Sequence, residues 1–132
     1  MKRSGILNKE ISEVIASMGH YQRVIICDAG FPIPLEVRRI DLTVTQGIPG
    51  FFEVYRAILD ELVLESVYVA EETPENNPDT YRRMLELLPK GMTPQMIPHE
   101  RFKELSHTAV ACIRTGECKP YSNIMLESGV FY

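Results

Sequence analysis

A short apolar run, Val24-Ile25-Ile26-Cys27, is followed at once by a segment that cannot be regular, Asp28-Ala29-Gly30-Phe31-Pro32-Ile33-Pro34. Consecutive apolar residues, several of them β-branched, are typical of a strand that is buried on both faces. A glycine and two prolines keep the following segment out of helix and strand. We therefore expect a sheet that is covered on both sides, with a loop that starts at residue 28 just past a strand end.

Apolar patterns elsewhere in the chain alternate between helical and strand-like spacing. Apolar residues at helical spacing predict helices over about 9–18, 51–62, 78–88 and 99–105. Short apolar runs predict further strands near 39–44, 66–70, 95–97, 109–113 and 124–126. This alternation predicts an α/β fold over residues 1–132, a single-domain three-layer α/β/α sandwich with a mixed, largely buried sheet. The pattern leaves the order of the strands open.

Composition and charge exclude several classes of protein. The 14 Lys and Arg residues against 18 Asp and Glu give a net charge of −4, so the chain lacks the basic surface of a nucleic-acid-binding protein. Its three cysteines form no C-x-x-C pair, which argues against a disulfide framework or a structural zinc site and favours a reducing, cytoplasmic location. No apolar run approaches the ~18 residues that a membrane span needs, so no membrane partner is expected.

Two candidate residues flank the first strand. His20 follows the first helix, where the partial negative charge of the helix end favours a protonated imidazole that could act on a substrate. It could equally cap the last helical carbonyls. Asp28 lies outside the carboxyl end of a strand, which is where α/β folds bind ligands, or it forms a turn with its own backbone.

Further polar candidates lie towards the C terminus. His99 stands where a helix begins and could donate a hydrogen bond to a ligand, or be an ordinary first-turn residue. The hydroxyl and amide groups of a turn-rich segment suit sugar hydroxyls, although a plain connecting loop fits equally well: Tyr121, Ser122 and Asn123. No histidine pair has the spacing of a metal site, so no metal is predicted.

The remaining reactive side chains receive structural interpretations. Cys27 lies within an apolar run and is expected to be an inert core thiol. The adjacent pair Glu71-Glu72 follows a strand and is expected to be solvated, and His107 is expected to lie on the surface. No dinucleotide-binding G-x-G-x-x-G or P-loop motif is present.

Motifs along the chain resemble those of the D-ribose pyranase family in one register, from Asn8 to the C terminus. The matching segments are Met18-Gly19-His20, 27–34, 39–42, 45–49, 70–72, 98–103, 113–117 and 121–124. Residues 73–95 carry no matching motif. The sister family, the L-fucose mutarotases, shares the histidine and the Tyr-x-Asn element, whereas Gly30 with Pro32-Ile33-Pro34 is more similar to the ribose branch.

The resemblance implies a cytoplasmic isomerase that interconverts the pyranose and furanose rings of D-ribose without a metal or organic cofactor, supplying furanose for phosphorylation. It implies that His20 is the proton donor and that the substrate-binding residues are Asp28, His99, Tyr121, Ser122 and Asn123. For the chemistry of ring opening, our hypothesis is that Asp28 orients His20 or holds a sugar hydroxyl. It also implies ring-shaped homo-oligomers, such as a pentamer-based decamer, with sites at subunit borders that Lys103 reaches from a neighbour. An L-fucose-type mutarotase and a non-catalytic sugar-binding regulatory module stay open as alternatives.

Overall fold

The computed structural model describes all residues, 1–132, as one six-stranded mixed sheet with five helices. The elements are α1 (Lys9–Ser17), β1 (Arg23–Cys27), β2 (Arg39–Asp41), α2 (Phe51–Leu59), β3 (Leu64–Ala70), α3 (Thr73–Asn76), α4 (Pro78–Leu87), β4 (Gln95–Ile97), α5 (His99–Ser106), β5 (Ala111–Arg114) and β6 (Ile124–Ser128). The strand order is β2-β5-β1-β6-β3-β4. The α/β fold predicted from the apolar pattern is confirmed.

The two faces of the sheet are covered unequally. Val24 and Ile26 of β1 pack into a cluster of 20 buried residues under α1, α2 and α4, whereas Ile25 and Cys27 pack into a cluster of nine under α5 and the loop that follows β1. Successive strand residues point to opposite faces, so the uniformly apolar run in β1 is explained by burial on both sides. The thinner cover over the second face leaves room for a pocket beside α5.

The strand directions decide which loops meet. Only β6 is antiparallel to its neighbours β1 and β3, and the other paired strands are parallel. The carboxyl ends of β1, β3, β4 and β5 therefore lie at one edge of the sheet together with the start of β6. Residues 28, 72, 99 and 121–123 follow or precede these strand ends, so they all converge on that edge.

The structure differs most clearly from the predicted elements at strand β2 and helix α3. Strand β2 ends at Asp41 rather than near residue 44, because the Asp41 carboxylate accepts the N–H of Thr43 at 3.0 Å and turns the chain. The short helix α3 was not predicted, since its four residues are too few to show a periodic pattern. None of the helices combines the length and the apolar character that crossing a bilayer requires.

The loop between β5 and β6 is fixed by a close backbone approach. Gly116 donates its N–H to the carbonyl of Pro49 at 2.8 Å, and its own carbonyl accepts the N–H of Gly47 at 2.6 Å. A Cβ at position 116 would lie 2.6 Å from backbone atoms of Thr45 and Ile48, so only glycine fits there. This contact anchors the beginning of the loop that carries the polar candidates at 121–123.

Candidate active site

Four of the predicted site residues line one pocket at the carboxyl edge of the sheet. Asp28, His99, Tyr121 and Asn123 surround a cavity of about 310 Å³ together with Gly30, Phe31, Pro32 and Pro120. Asp28 comes from the end of β1, His99 from the start of α5, and the other two from the loop before β6. The walls combine polar groups with an aromatic ring and two prolines, a composition that suits a small polyol such as a sugar.

Asp28 and Asn123 are locked together by reciprocal hydrogen bonds. The backbone N–H of Asp28 donates to Asn123 Oδ1 at 2.9 Å, and Asn123 Nδ2 donates to Asp28 Oδ2 at 3.0 Å. The second carboxylate oxygen, Oδ1, accepts the N–H of Gly30 at 3.0 Å. Burial raises the pKa of Asp28, although these hydrogen bonds and the nearby imidazole of His99 oppose the shift.

His99 is held by its backbone and enclosed by aromatic rings. Its N–H donates to both oxygens of the Glu72 carboxylate, at 2.9 and 3.2 Å, which caps the N terminus of α5. Its ring packs edge-on against Tyr121 and Phe31, and Nδ1 is buried without a hydrogen-bond partner. Burial lowers the pKa of His99 and the charge of Lys103 adds to the effect, so the imidazole is held towards its neutral form.

The turn that carries Tyr121 is held from behind by α3 and the residue after it. Tyr121 adopts a left-handed backbone with a φ of 56°, a strained conformation for a non-glycine residue. Thr73 Oγ1 donates to the Tyr121 carbonyl at 3.4 Å, and Asn77 Nδ2 donates to the Pro120 carbonyl at 2.9 Å. These bonds span more than forty residues of chain, and they fix the direction in which the phenol enters the pocket.

Ser122 does not reach the pocket with its side chain. The residue is completely buried and its hydroxyl lies 3.4 Å from Asn77 Nδ2, on the side of the turn away from the cavity. The expectation that the Ser122 hydroxyl binds substrate is therefore wrong, because the outward neighbours at 121 and 123 occupy that side of the loop. Ser122 instead shapes the turn that presents them.

His20 lies at the opposite edge of the sheet from Asp28. The two residues flank β1, whose five residues span roughly 16 Å. His20 Nε2 is 3.3 Å from Glu65 Oε2, and its ring stacks on Tyr21 with centroids 3.7 Å apart. The expectation that Asp28 orients His20 is therefore wrong within one chain, because an extended strand separates residues that are only eight positions apart.

The surroundings of His20 are open and partly apolar. Its side chain is 38% exposed and borders a shallow cavity of about 410 Å³ formed with α1 and the C-terminal residues. Phe131 and Tyr132, at the end of the chain, are 88% and 93% exposed. Tyr21 beside it is also exposed and has a φ of 66°. Exposed aromatic residues next to an ionisable group are typical of a surface that contacts another protein.

The structure agrees with the predictions for Cys27 and His107 but not with the one for Glu72. Cys27 is fully buried and burial raises the pKa of its thiol, so it is the core thiol that was predicted. His107 is exposed and pairs with Glu36, as expected of a surface residue. The prediction that Glu72 is solvated is wrong, because its carboxylate caps α5, whereas Glu71 is exposed.

Thr73 and Asn77 are site residues that the sequence analysis missed. They fall in the region without matching motifs, and Asn77 directly precedes the helix predicted from residue 78. Helix α4 does begin at Pro78, but the Asn77 side chain makes no capping bond and turns to the 120–122 segment instead. No group of three or more His, Cys, Asp or Glu side chains is arranged to hold a metal ion.

Known proteins are similar to this chain over all or nearly all of its length. The family model described as the RbsD / FucU transport protein family matches residues 1–131. The D-ribose pyranase of Geobacillus kaustophilus is 47% identical over 132 residues, which cover all of this chain and 96% of that protein. The D-ribose pyranase of Thermotoga petrophila is 45% identical, and the alignment covers both chains completely.

Solved structures give the same result at the level of the fold. The structure of Bacillus subtilis RbsD complexed with D-ribose has a TM-score of 0.95, with 36% identity and full coverage of both chains. The fucose mutarotase from Streptococcus pneumoniae, in complex with L-fucose, has a TM-score of 0.74 with 26% identity and covers 96% of this chain and 95% of its own. The chain belongs to the RbsD/FucU family.

Proposed function

We propose that this protein is a D-ribose pyranase, an isomerase that interconverts the pyranose and furanose rings of D-ribose. The observation that carries the proposal is the pocket formed by Asp28, His99, Tyr121 and Asn123 in a chain that superimposes over its whole length on a structure containing D-ribose. Relatives at 45% and 47% identity over all of this chain bear the name of that activity. We further propose a cytoplasmic location, which rests on the odd cysteine count and on the resemblance.

The chemistry requires only proton transfers. Ring interconversion passes through the open-chain aldehyde, so a proton must leave the anomeric hydroxyl and another must reach the ring oxygen. Closure through a different hydroxyl reverses both transfers. Positioned acid and base groups typically contribute about 10²- to 10⁴-fold in rate. Since the reaction already proceeds in water, such a factor is sufficient for a small enzyme.

The pocket supplies binding groups for the sugar. Asp28 offers carboxylate oxygens, His99 and Tyr121 offer ring N–H and hydroxyl groups, and Asn123 holds Asp28 in place. Phe31 supplies an apolar wall for the C–H face of the ring. These groups are fixed by backbone contacts before any ligand binds, which reduces the entropy lost on binding.

The proton donor in our proposal is His20 of a second copy of the chain. Within one chain His20 borders a separate cavity at the opposite edge of the sheet, and no lysine, no arginine and no histidine other than His99 lines the Asp28 pocket. The exposed aromatic residues around His20 give a surface on which a second copy could pack. We therefore propose a ring-shaped homo-oligomer, such as a pentamer-based decamer, in which the histidine of one subunit completes the pocket of the next.

Lys103 keeps its predicted role at a subunit border as part of this proposal. In the single chain its amine donates to Glu100 Oε1 at 2.6 Å, and its charge acts on His99 of the same helix. The side chain is one-third exposed, so it can also approach a neighbouring subunit.

The decisive experiment measures exchange between ribose anomers by saturation-transfer NMR with purified protein. Wild-type protein should accelerate pyranose–furanose exchange, and His20→Ala should lose about 10²-fold or more of that acceleration while D-ribose binding changes little. His107→Ala is the matched control, because His107 is also exposed and paired with a glutamate, Glu36, away from the pocket. Binding of ribose without faster exchange would identify a non-catalytic binding module, and faster exchange of L-fucose than of D-ribose would identify the sister activity.

A further inference from the structure

We propose that Asp28 is the general base that takes the proton from the anomeric hydroxyl, and that Asn123 and the Gly30 N–H hold its carboxylate for that step. This inference rests on the proposed ribose pyranase activity and assigns a group that the ring-opening step needs. It follows from which atoms of the pocket are free to accept a proton.

Few side chains of the pocket can act as acceptors. Its polar side chains are those of Asp28, His99, Tyr121 and Asn123. The Asn123 oxygen already accepts the Asp28 N–H at 2.9 Å. The Tyr121 hydroxyl carries its own proton and is a donor and only a weak acceptor. The choice of base therefore lies between the Asp28 carboxylate and the His99 imidazole.

The surroundings of His99 make it a donor. Its Nδ1 is buried without a partner, and Nε2 is the ring nitrogen that remains accessible at the pocket. Burial and the charge of Lys103 lower the pKa of His99, so one nitrogen carries a proton and the other does not. Buried N–H groups without acceptors are rarer than buried unsatisfied acceptors. We therefore assign the proton to Nε2, where it can donate to a sugar oxygen.

Asp28 has the free lone pairs that a base requires. Each carboxylate oxygen accepts one hydrogen bond, Oδ1 from Gly30 and Oδ2 from Asn123, and each keeps further acceptor capacity. Because both sides of the Asn123 amide are bonded to Asp28, neither the amide nor the carboxylate can rotate away. Burial raises the pKa of Asp28, which makes its carboxylate a stronger base than a fully solvated one.

The step balances without an external reagent. Asp28 takes the proton of the anomeric hydroxyl, the lone pair left on that oxygen forms the aldehyde C=O, and the bond from C1 to the ring oxygen breaks. The ring oxygen receives a proton from the general acid, which we assign to His20 of the neighbouring copy. When the C4 hydroxyl then attacks C1, protonated Asp28 returns its proton to the carbonyl oxygen and the C4 oxygen gives up its own proton to the acid's conjugate base.

Replacing the carboxylate tests this role. Asp28→Asn should lower kcat for ribose exchange by about 10²- to 10³-fold while KM stays within about threefold, because the amide preserves the size of the side chain and one of its acceptors. Asp60→Asn is the control, since Asp60 is an exposed aspartate outside the pocket and should leave kcat unchanged.

Chemical rescue separates a base from a binding group. With Asp28→Ala, added formate should restore exchange by tenfold or more, because it can fill the space of the missing carboxylate, and should leave Asp60→Ala unaffected. Wild-type kcat should fall as pH falls through the raised pKa of Asp28, whose titratable neighbours are His99, Tyr121 and the buried Cys27 thiol. In the rescued variant this fall in kcat should move to the pKa of formate.

The outcomes are distinguishable. Wild-type protein that does not accelerate exchange overturns the proposed activity itself. If the wild type is active, then Asp28→Asn with kcat within fivefold of wild type, or a loss that lies in KM and resists formate, overturns the assignment of Asp28. The heteronuclear NMR spectrum of each variant verifies its fold, and since Asp28→Asn does not depend on rescue, it decides the question if Asp28→Ala does not fold.

Discussion

The two ends of strand β1 are built in opposite ways. At the carboxyl end, Asp28 is half-buried and bonded to the backbone of Gly30 and to both polar atoms of the Asn123 side chain. At the amino end, His20 is 38% exposed and its polar contact is a 3.3 Å approach to the exposed carboxylate of Glu65. At the carboxyl end the polar group is held by hydrogen bonds within a single chain, whereas at the amino end the His20 side chain is exposed at the surface.

This difference fits the roles that we propose for the two groups. A general base that is stronger than a solvated carboxylate must be desolvated and fixed, which needs packing from several elements of one chain. A proton donor from another subunit must be able to reach the sugar, and the His20 imidazole lies exposed at the surface beside the Glu65 carboxylate. In the homo-oligomer that we propose, the exposed position of His20 allows one subunit to bring this histidine to the Asp28 pocket of the next.

A residue with a left-handed backbone conformation lies near each end of β1. Tyr21 and Tyr121 are the two non-glycine residues with a left-handed backbone, and each adjoins a proposed catalytic or binding group. Tyr21 donates its N–H to the Ser128 carbonyl at 2.8 Å, and the Tyr121 turn is bonded to Thr73. Strained backbone at functional sites persists only where surrounding contacts fix it, and both turns have such contacts.

Mixing two inactive variants tests whether His20 of one copy acts together with Asp28 of another copy. His20→Ala and Asp28→Ala should each have below about 1% of wild-type exchange activity, because each removes one of two required groups. After joint dissociation and reassembly in equal amounts, random mixing places an intact His20 opposite an intact Asp28 in about one contact in four. Activity should return to about a quarter of the wild-type value by NMR exchange, a gain of at least 25-fold.

The control for that experiment is a mixture in which no intact pair can form. His20→Ala mixed with the double variant His20→Ala/Asp28→Ala should stay inactive. If the mixture of single variants also stays inactive although mass spectrometry shows mixed assemblies, then His20 does not complete the pocket of another copy, and the open end of β1 needs another explanation.

A second prediction concerns the hydrogen bonds by which Asn77 holds the turn at the carboxyl end of β1. Asn77→Ala leaves the buried Ser122 hydroxyl and the Pro120 carbonyl without their partner, so the free energy of unfolding should fall by about 1–3 kcal/mol. The Tyr121 turn should loosen, and kcat/KM for ribose exchange should fall about tenfold. Urea unfolding and the NMR exchange assay measure the two effects.

Asn76→Ala is the matched control for this substitution. Asn76 is the preceding residue, is exposed, and bonds only the carbonyl of Glu72, so its loss should change stability by less than about 0.5 kcal/mol. Equal effects of the two variants would show that the carboxyl end is not held by α3 and the residue that follows it.

The elements of the fold could be predicted because their signals are local. The apolar run at 24–27 and the helical spacing from residue 78 each report burial of nearby residues, and both elements are present. The position of Asp28 after a buried strand correctly placed it in a pocket. The strand order β2-β5-β1-β6-β3-β4 could not be predicted from the sequence, because strand pairing joins segments that are distant in the chain.

The support of the site could not be predicted for the same reason. Asn77 contacts Ser122 across 45 residues and Glu72 contacts His99 across 27, and neither pairing leaves a periodic trace in the sequence. For His20, closeness in sequence was a wrong indication of closeness in space. Its separation of eight residues from Asp28 indicated proximity, yet the residues between them form an extended strand, so the short sequence distance is a long spatial one.

The smallest expected effect comes from removing the charge of Glu72, whose carboxylate accepts the backbone N–H of His99. Glu72→Gln keeps an oxygen that can accept the His99 N–H but removes the negative charge at the N terminus of α5, so stability should fall by about 0.3–1 kcal/mol. The Glu72 charge also raises the pKa of His99 against the effects of burial and Lys103. Its removal should therefore lower the pKa of His99 further, which an NMR titration of the imidazole measures.

Glu71→Gln provides the control, because the neighbouring carboxylate is exposed and makes no side-chain hydrogen bond. It should leave both the stability and the His99 titration close to wild type. A His99 pKa that rises in Glu72→Gln, or that shifts equally in both variants, would mean that the charge acts through solvent rather than through the cap. The site at the carboxyl end of β1 would then be less rigid than its hydrogen bonds indicate. It would differ less from the exposed surroundings of His20 at the amino end.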